Sequence, residues 1–213
     1  MKQVLFAALT SAFMIMASAS AETLPEAEAF VSELVTELQF AANEHGDNAP
    51  EVRQVLEDNL ATVRIGKFLV AGSKVEEAEE TQREAYFELF PRYIAAAFAE
   101  EIGQLTSRRI DVYNSFERAP GDVIVQSKLF DDHGVSRAQI DWRLAAIETE
   151  EGDAQGYQLL DVLVERISPL ITRRQEFSTI IRDDDVQGLL DHMIEVIGDA
   201  QVANAPSDNG NEG

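Results

Sequence analysis

The chain has no cysteine, which removes disulfides, thiol nucleophiles and thiolate metal sites at once. Its three histidines, His45, His133 and His192, stand in no His-x-x-x-His or Glu-x-x-His spacing, so no metal site is expected. There is no Gly-x-Ser-x-Gly elbow and no glycine-rich phosphate loop. Asp183-Asp184-Asp185 lacks the alternating ligands, glycine and closing glutamate of a calcium loop, and Asp185 reads instead as the N-cap of a following helix. Basic residues are few: 17 Lys and Arg face 39 Asp and Glu, for a net charge of −22. That balance excludes nucleic acid and adsorption to anionic lipid surfaces. No acid pair is singled out by spacing, and a non-enzymatic role without a cofactor is expected.

Long apolar runs are also missing. The one candidate, Val4 to Ala17, is short for a bilayer span and follows Lys2, with Ala19-Ser20-Ala21 behind it. This is the layout of a secretory signal over residues 1–21, cleaved before Glu22, with an uncleaved anchor as the alternative. No lipobox cysteine follows it. Residues 22–200 then form a single domain large enough for its own core, stabilised by packing alone. Residues 201–213, rich in Asn, Gly, Ser and Pro, read as a disordered tail.

Apolar periodicity organises what is present. Thr23-Leu24-Pro25-Glu26 reads as a capping-box start, and Phe30, Leu34, Leu38 and Ala41 follow on one helical face. Val52, Val55, Leu56 and Leu60 predict a second helix, and Ile65, Phe68 and Leu69 a short third one bounded by Gly66 and Gly72. A long helix is expected from about Glu76 to Gly103, carrying Tyr86, Phe87, Phe90, Ile94 and Phe98, with a kink or break near Phe87 caused by Pro91. The period then falls to two. Arg109 to Phe116 alternates Ile110, Val112 and Asn114 against Asp111, Tyr113 and Ser115. Val123 to Phe130 and Arg137 to Leu144 follow through the turns at Pro120-Gly121-Asp122 and Asp131 to Gly134. Tyr157 to Val164 is nearly continuous in apolar residues, so both of its faces should be covered. Two C-terminal helical segments complete an α+β order of helices, four-strand meander, helices. By spacing alone the aromatic stripe is plain core.

Four segments in register resemble the MlaC/toluene-tolerance family of periplasmic phospholipid carriers: Gln82-Arg83-Glu84-Ala85-Tyr86-Phe87 with Phe90 and Tyr93; Ile140-Asp141-Trp142-Arg143-Leu144; Asp161 and Ser168; and Arg174, Phe177 and Ile180-Ile181. Where the family tends to have glycine after the last strand, this chain has Glu165-Arg166-Ile167. The resemblance implies an NTF2/cystatin-like curved four-stranded antiparallel sheet, wrapped by N- and C-terminal helices around an apolar pocket. It implies a periplasmic monomer that shuttles phospholipid between an outer-membrane lipoprotein–porin complex and an inner-membrane ABC transporter with an MCE-domain hexamer. The lipid-lining residues it implies are Phe68, Phe87, Phe90, Ile94, Phe98, Ile110, Val125, Trp142, Val162, Phe177 and Ile181, with Arg173 and Arg174 near the head group. A hopanoid-type ligand, or a dry-cored module bridging envelope proteins, are the alternatives.

Overall fold

The structure, a computed structural model, describes residues 23–46, 49–106, 108–148 and 154–202. The segment expected to be a signal, and all of the expected C-terminal tail except Gln201 and Val202, lie outside the described residues. Three helices come first: α1 (Pro25–His45), α2 (Pro50–Asn59) and α3 (Thr62–Val70). The long α4 (Glu80–Thr106) leads into β1 (Arg109–Ala119), β2 (Asp122–Phe130), β3 (Ser136–Glu148) and β4 (Ala154–Val164). The chain closes with α5 (Pro169–Val202). The strands form one antiparallel sheet in the order β1-β2-β3-β4, so the expected α+β meander is the fold.

Helices cover one face of the sheet. α1 lies against β1, β2 and β4, while α4 packs between α2 and α5. The linker before α3 guards the β4 edge, where Leu60 bridges Leu159 and the Ala61 amide donates to the Leu159 carbonyl at 2.9 Å.

The structure revises several local expectations. α1 begins without a capping box: Leu24 is its N-cap and no side chain of its own caps it. Ser115 on β1 takes that role instead, accepting from the Leu24 amide at 2.6 Å and donating to the Glu28 carboxylate at 2.8 Å. Ser115 can reach inward because the β1–β2 register shifts between Val112 and Asn114. This bulge leaves Tyr113 half exposed and turns Ser115 to the buried face, so the simple alternation expected of β1 fails at that point.

Gly66 does not bound α3; it lies inside the helix. A Cβ there would stand 3.1 Å from the Phe90 ring, so the glycine permits close approach of α3 to α4. α4 is helical from end to end with Pro91 inside it, so the chain does not break near Phe87. In α5 the two expected segments are present, separated at Asp185, whose φ of 61° and ψ of −168° are not helical.

Candidate functional site

Tyr86, Phe90, Ile94 and Phe98 recur every four residues on α4 and are all buried. Tyr86 donates its hydroxyl to the Gly66 carbonyl at 2.9 Å, which ties α4 to α3. Burial, helped by the neighbouring Tyr93, pushes the Tyr86 phenol far above the ordinary tyrosine range, so it remains a donor. Phe177 on α5 completes an aromatic column, its ring centroid 5.4 Å from Tyr93 and 6.4 Å from Tyr86.

The sheet presents a matching row. Val125, Trp142 and Val162 are direct partners across β2, β3 and β4. The Trp142 indole N–H is satisfied within the core by the Ser127 hydroxyl at 2.8 Å. Column and row belong to one continuous apolar core, which also takes in Ile181. Ile94, Val125, Trp142 and Phe177 have 0% exposure, and Phe90, Phe98, Ile181 and Val162 have at most 4%. A side chain with no accessible surface adjoins no water-sized space, inside or out. In this conformation Ile94, Val125, Trp142 and Phe177 are therefore packed against their surroundings, with no open gap beside them.

Three further positions lie at the margin. Phe68 and Ile110 are partly buried against the core, and Phe87 is at the surface with 38% exposure. Phe87 and Lys67 are shared by two adjoining hollows between α3 and α4. One, of about 490 Å³, is also lined by Val70, Val75 and Arg83; the other, of about 200 Å³, reaches Val63, Phe90 and Pro91. Phe90, a ring of the column, thus forms part of the wall of a surface hollow.

Arg173 and Arg174 are neighbours in sequence whose side chains diverge. Arg173 pairs with Glu176 at 2.8 Å and stacks over Tyr93 at 5.9 Å. Arg174 stacks over Phe68 at 4.7 Å and donates to the Ala71 carbonyl at 3.1 Å. The Asp161–Ser168 pair is a clamp between β4 and α5. Ser168 donates to the Asp161 carboxylate at 2.5 Å and caps α5 by accepting from the Ile171 amide at 3.2 Å. Burial raises the Asp161 pKa, opposed by hydrogen bonds from Ser168 and Val162.

Among the described residues no group of His, Asp and Glu is arranged to hold a metal, and no helix is long and apolar enough to cross a membrane. His45 lies 4.0 Å from Glu51, and His192 lies 3.4 Å from Glu176. Sequence reasoning missed a cluster on the sheet's other face, where Asp122 accepts from both Arg143 and Arg118. Its only sequence signal is that Arg143 falls in the outward phase of β3.

The family model described as MlaC protein matches residues 28–195 of the chain. The chain belongs to the MlaC family. A phospholipid-binding protein from Ralstonia solanacearum, solved in complex with a phospholipid, shares the fold. It matches with a TM-score of 0.59 at 16% identity, covering 83% of this chain and 99% of that one.

Proposed function

We propose that this MlaC-family chain is a soluble periplasmic phospholipid carrier, with residues 1–21 a cleaved signal and 22–200 the lipid-binding domain. Acyl chains lie between the α4–α5 aromatic column and the Val125–Trp142–Val162 row. Phe68, Phe87 and Ile110 border the entrance, and Arg173 and Arg174 stand near the head group. The chain passes lipid between an outer-membrane lipoprotein–porin complex and an inner-membrane MCE-domain transporter. No chemical step is required of it. The observation that carries this reading is family membership combined with a surface hollow walled by Phe87 and by Phe90 of the aromatic column.

Energetics explain both tight holding and release. Each methylene moved out of water is worth about 0.8 kcal/mol, so two chains of about 30 methylenes would cost about 24 kcal/mol gross in free solution. A soluble lipid needs a carrier. The closed core described above sets the opposing term. Side chains that pack on one another when the site is empty must part when lipid enters, so the lipid replaces existing apolar contacts. Net affinity is the difference between these terms, and the core's tendency to close assists release.

The test is extraction and mass spectrometry of lipid from protein purified from its native periplasm without detergent. Near-stoichiometric phospholipid supports the reading. A hopanoid-type ligand keeps the carrier and changes its cargo. Absence of lipid, with no uptake from liposomes, would leave a bridging module.

A further inference from the structure

On the opposite face of the sheet, Ile124, Arg143 and Asp161 are direct partners across β2, β3 and β4. Beside this row lies a groove of about 400 Å³, walled by Arg64 and Phe68 of α3 and by Leu170 and Ile171 of α5. Leu160 and Leu163 add apolar surface, Leu160 being the unpaired residue of a register shift in β4 between the residues paired with Arg143 and Leu144. An outward sheet face is ordinarily polar; this one carries an apolar strip.

Charge is concentrated at its edge. Asp122 binds Arg143 through both nitrogen positions, Nε and Nη2, at 3.0 and 2.9 Å, and binds Arg118 as well. Burial alone would raise the Asp122 pKa, but hydrogen bonds from the two guanidinium groups outweigh it and hold the carboxylate ionised. One carboxylate thus orients two arginines, and each keeps N–H groups that Asp122 does not use. Arg64 is exposed across the groove and makes no ion pair among the described residues. The other carboxylate, Asp161, is 3% exposed and engaged by Ser168 and by the Val162 amide. Arg64, Arg118 and Arg143 line the groove with Asp161 as the one carboxylate of its wall, while Asp122 lies behind two of the arginines and Asp141 stands opposite Leu163, so arginines outnumber carboxylates on the groove wall of a chain of net charge −22.

We infer that this groove is a second binding site, which shares Phe68 with the margin of the buried column but none of its interior residues, for an anionic single-chain amphiphile: one acyl chain on the Ile124–Leu163 strip, with its phosphate or carboxylate at Arg64, Arg118 and Arg143. A volume of about 400 Å³ is near the small end of ligand sites, which run roughly 300–1,000 Å³, and suits one chain better than two. A planar guanidinium pair suits an oxyanion and gives nothing to a cationic head.

The test is calorimetric titration of the purified protein with dodecyl phosphate, laurate and dodecyltrimethylammonium, each below its micelle concentration. The anionic amphiphiles should bind at least about tenfold more tightly than the cationic one. Preference for dodecyl phosphate assigns the groove to lysophospholipid, and preference for laurate assigns it to fatty acid. Arg64→Glu, at an exposed position outside the fold's ion pairs, should weaken anion binding about tenfold or more while leaving copurified phospholipid unchanged. Leu163→Ser should weaken binding of the whole series. Equal affinity for anion and cation, or indifference to Arg64→Glu, would overturn the proposal. Loss of copurified phospholipid in Arg64→Glu would overturn its separateness from the buried site. A protein that carries no phospholipid yet binds dodecyl phosphate through Arg64 would keep the groove and remove the buried-column reading.

Discussion

Glu165 and Arg166 hold positive φ of 50° and 66° in a two-residue turn closed by the Ile167 amide on the Val164 carbonyl at 2.9 Å. Residues with a side chain cost roughly 1–2 kcal/mol in this left-handed region. Glu165 is partly compensated, since its carboxylate accepts from the Gln139 amide at 2.6 Å. Exposed Arg166 has no such bond among the described residues. Arg166→Gly should therefore raise stability by about 1 kcal/mol in urea denaturation, and a decrease would contradict the strain argument. Asp161 has the opposite interest, a buried carboxyl whose pKa is raised in the fold. Its contribution to stability is fully present below the unfolded-state pKa and is lost as pH rises through the raised folded value. The stability of the native chain relative to Asp161→Asn should then fall as pH rises above the ordinary aspartate range, whereas a difference independent of pH would refute the assignment.

At the scale of elements, periodicity was a good guide wherever one stretch of sequence decided the outcome. Four-residue spacing on α4 identified Phe90, Ile94 and Phe98, and strict alternation on β3 put Trp142 and Leu144 on the buried face. The break in α5 was also legible, because Asp185 interrupts two apolar repeats. Partner-dependent features were not. Gly66 read as a boundary because its reason for being glycine is the Phe90 ring, which lies 24 positions later in the chain. The bulge at Tyr113 and the cap from Ser115 likewise depend on pairing across the molecule. The α5 interruption has a testable consequence at Gly188, where a Cβ would lie 2.4 Å from the Asp184 Cβ. Gly188→Ala should destabilise the protein by roughly 1–3 kcal/mol despite alanine's better helix propensity, as read from the urea midpoint. A gain in stability would mean that the two halves of α5 sit further apart.

The whole molecule is an acidic shell around a core that is closed in this conformation. The sequence located the residues facing that core, but spacing makes a packed interior and a ligand cavity look alike. Whether the helical layer parts from the sheet depends on a balance of two apolar packings, which no single residue records. Trp142 offers a direct view of that balance. It is the chain's one tryptophan, lies at 0% exposure in the middle strand's inward row, and has its indole N–H bonded within the core. The decisive measurement is Trp142 fluorescence after loading with phospholipid brominated along its acyl chains, in the native chain and in Arg64→Glu. The account predicts strong quenching in both, relative to unbrominated lipid at equal occupancy, because the chains lie against the Val125–Trp142–Val162 row. Unchanged emission at full occupancy would show that lipid is carried elsewhere and that the core stays closed.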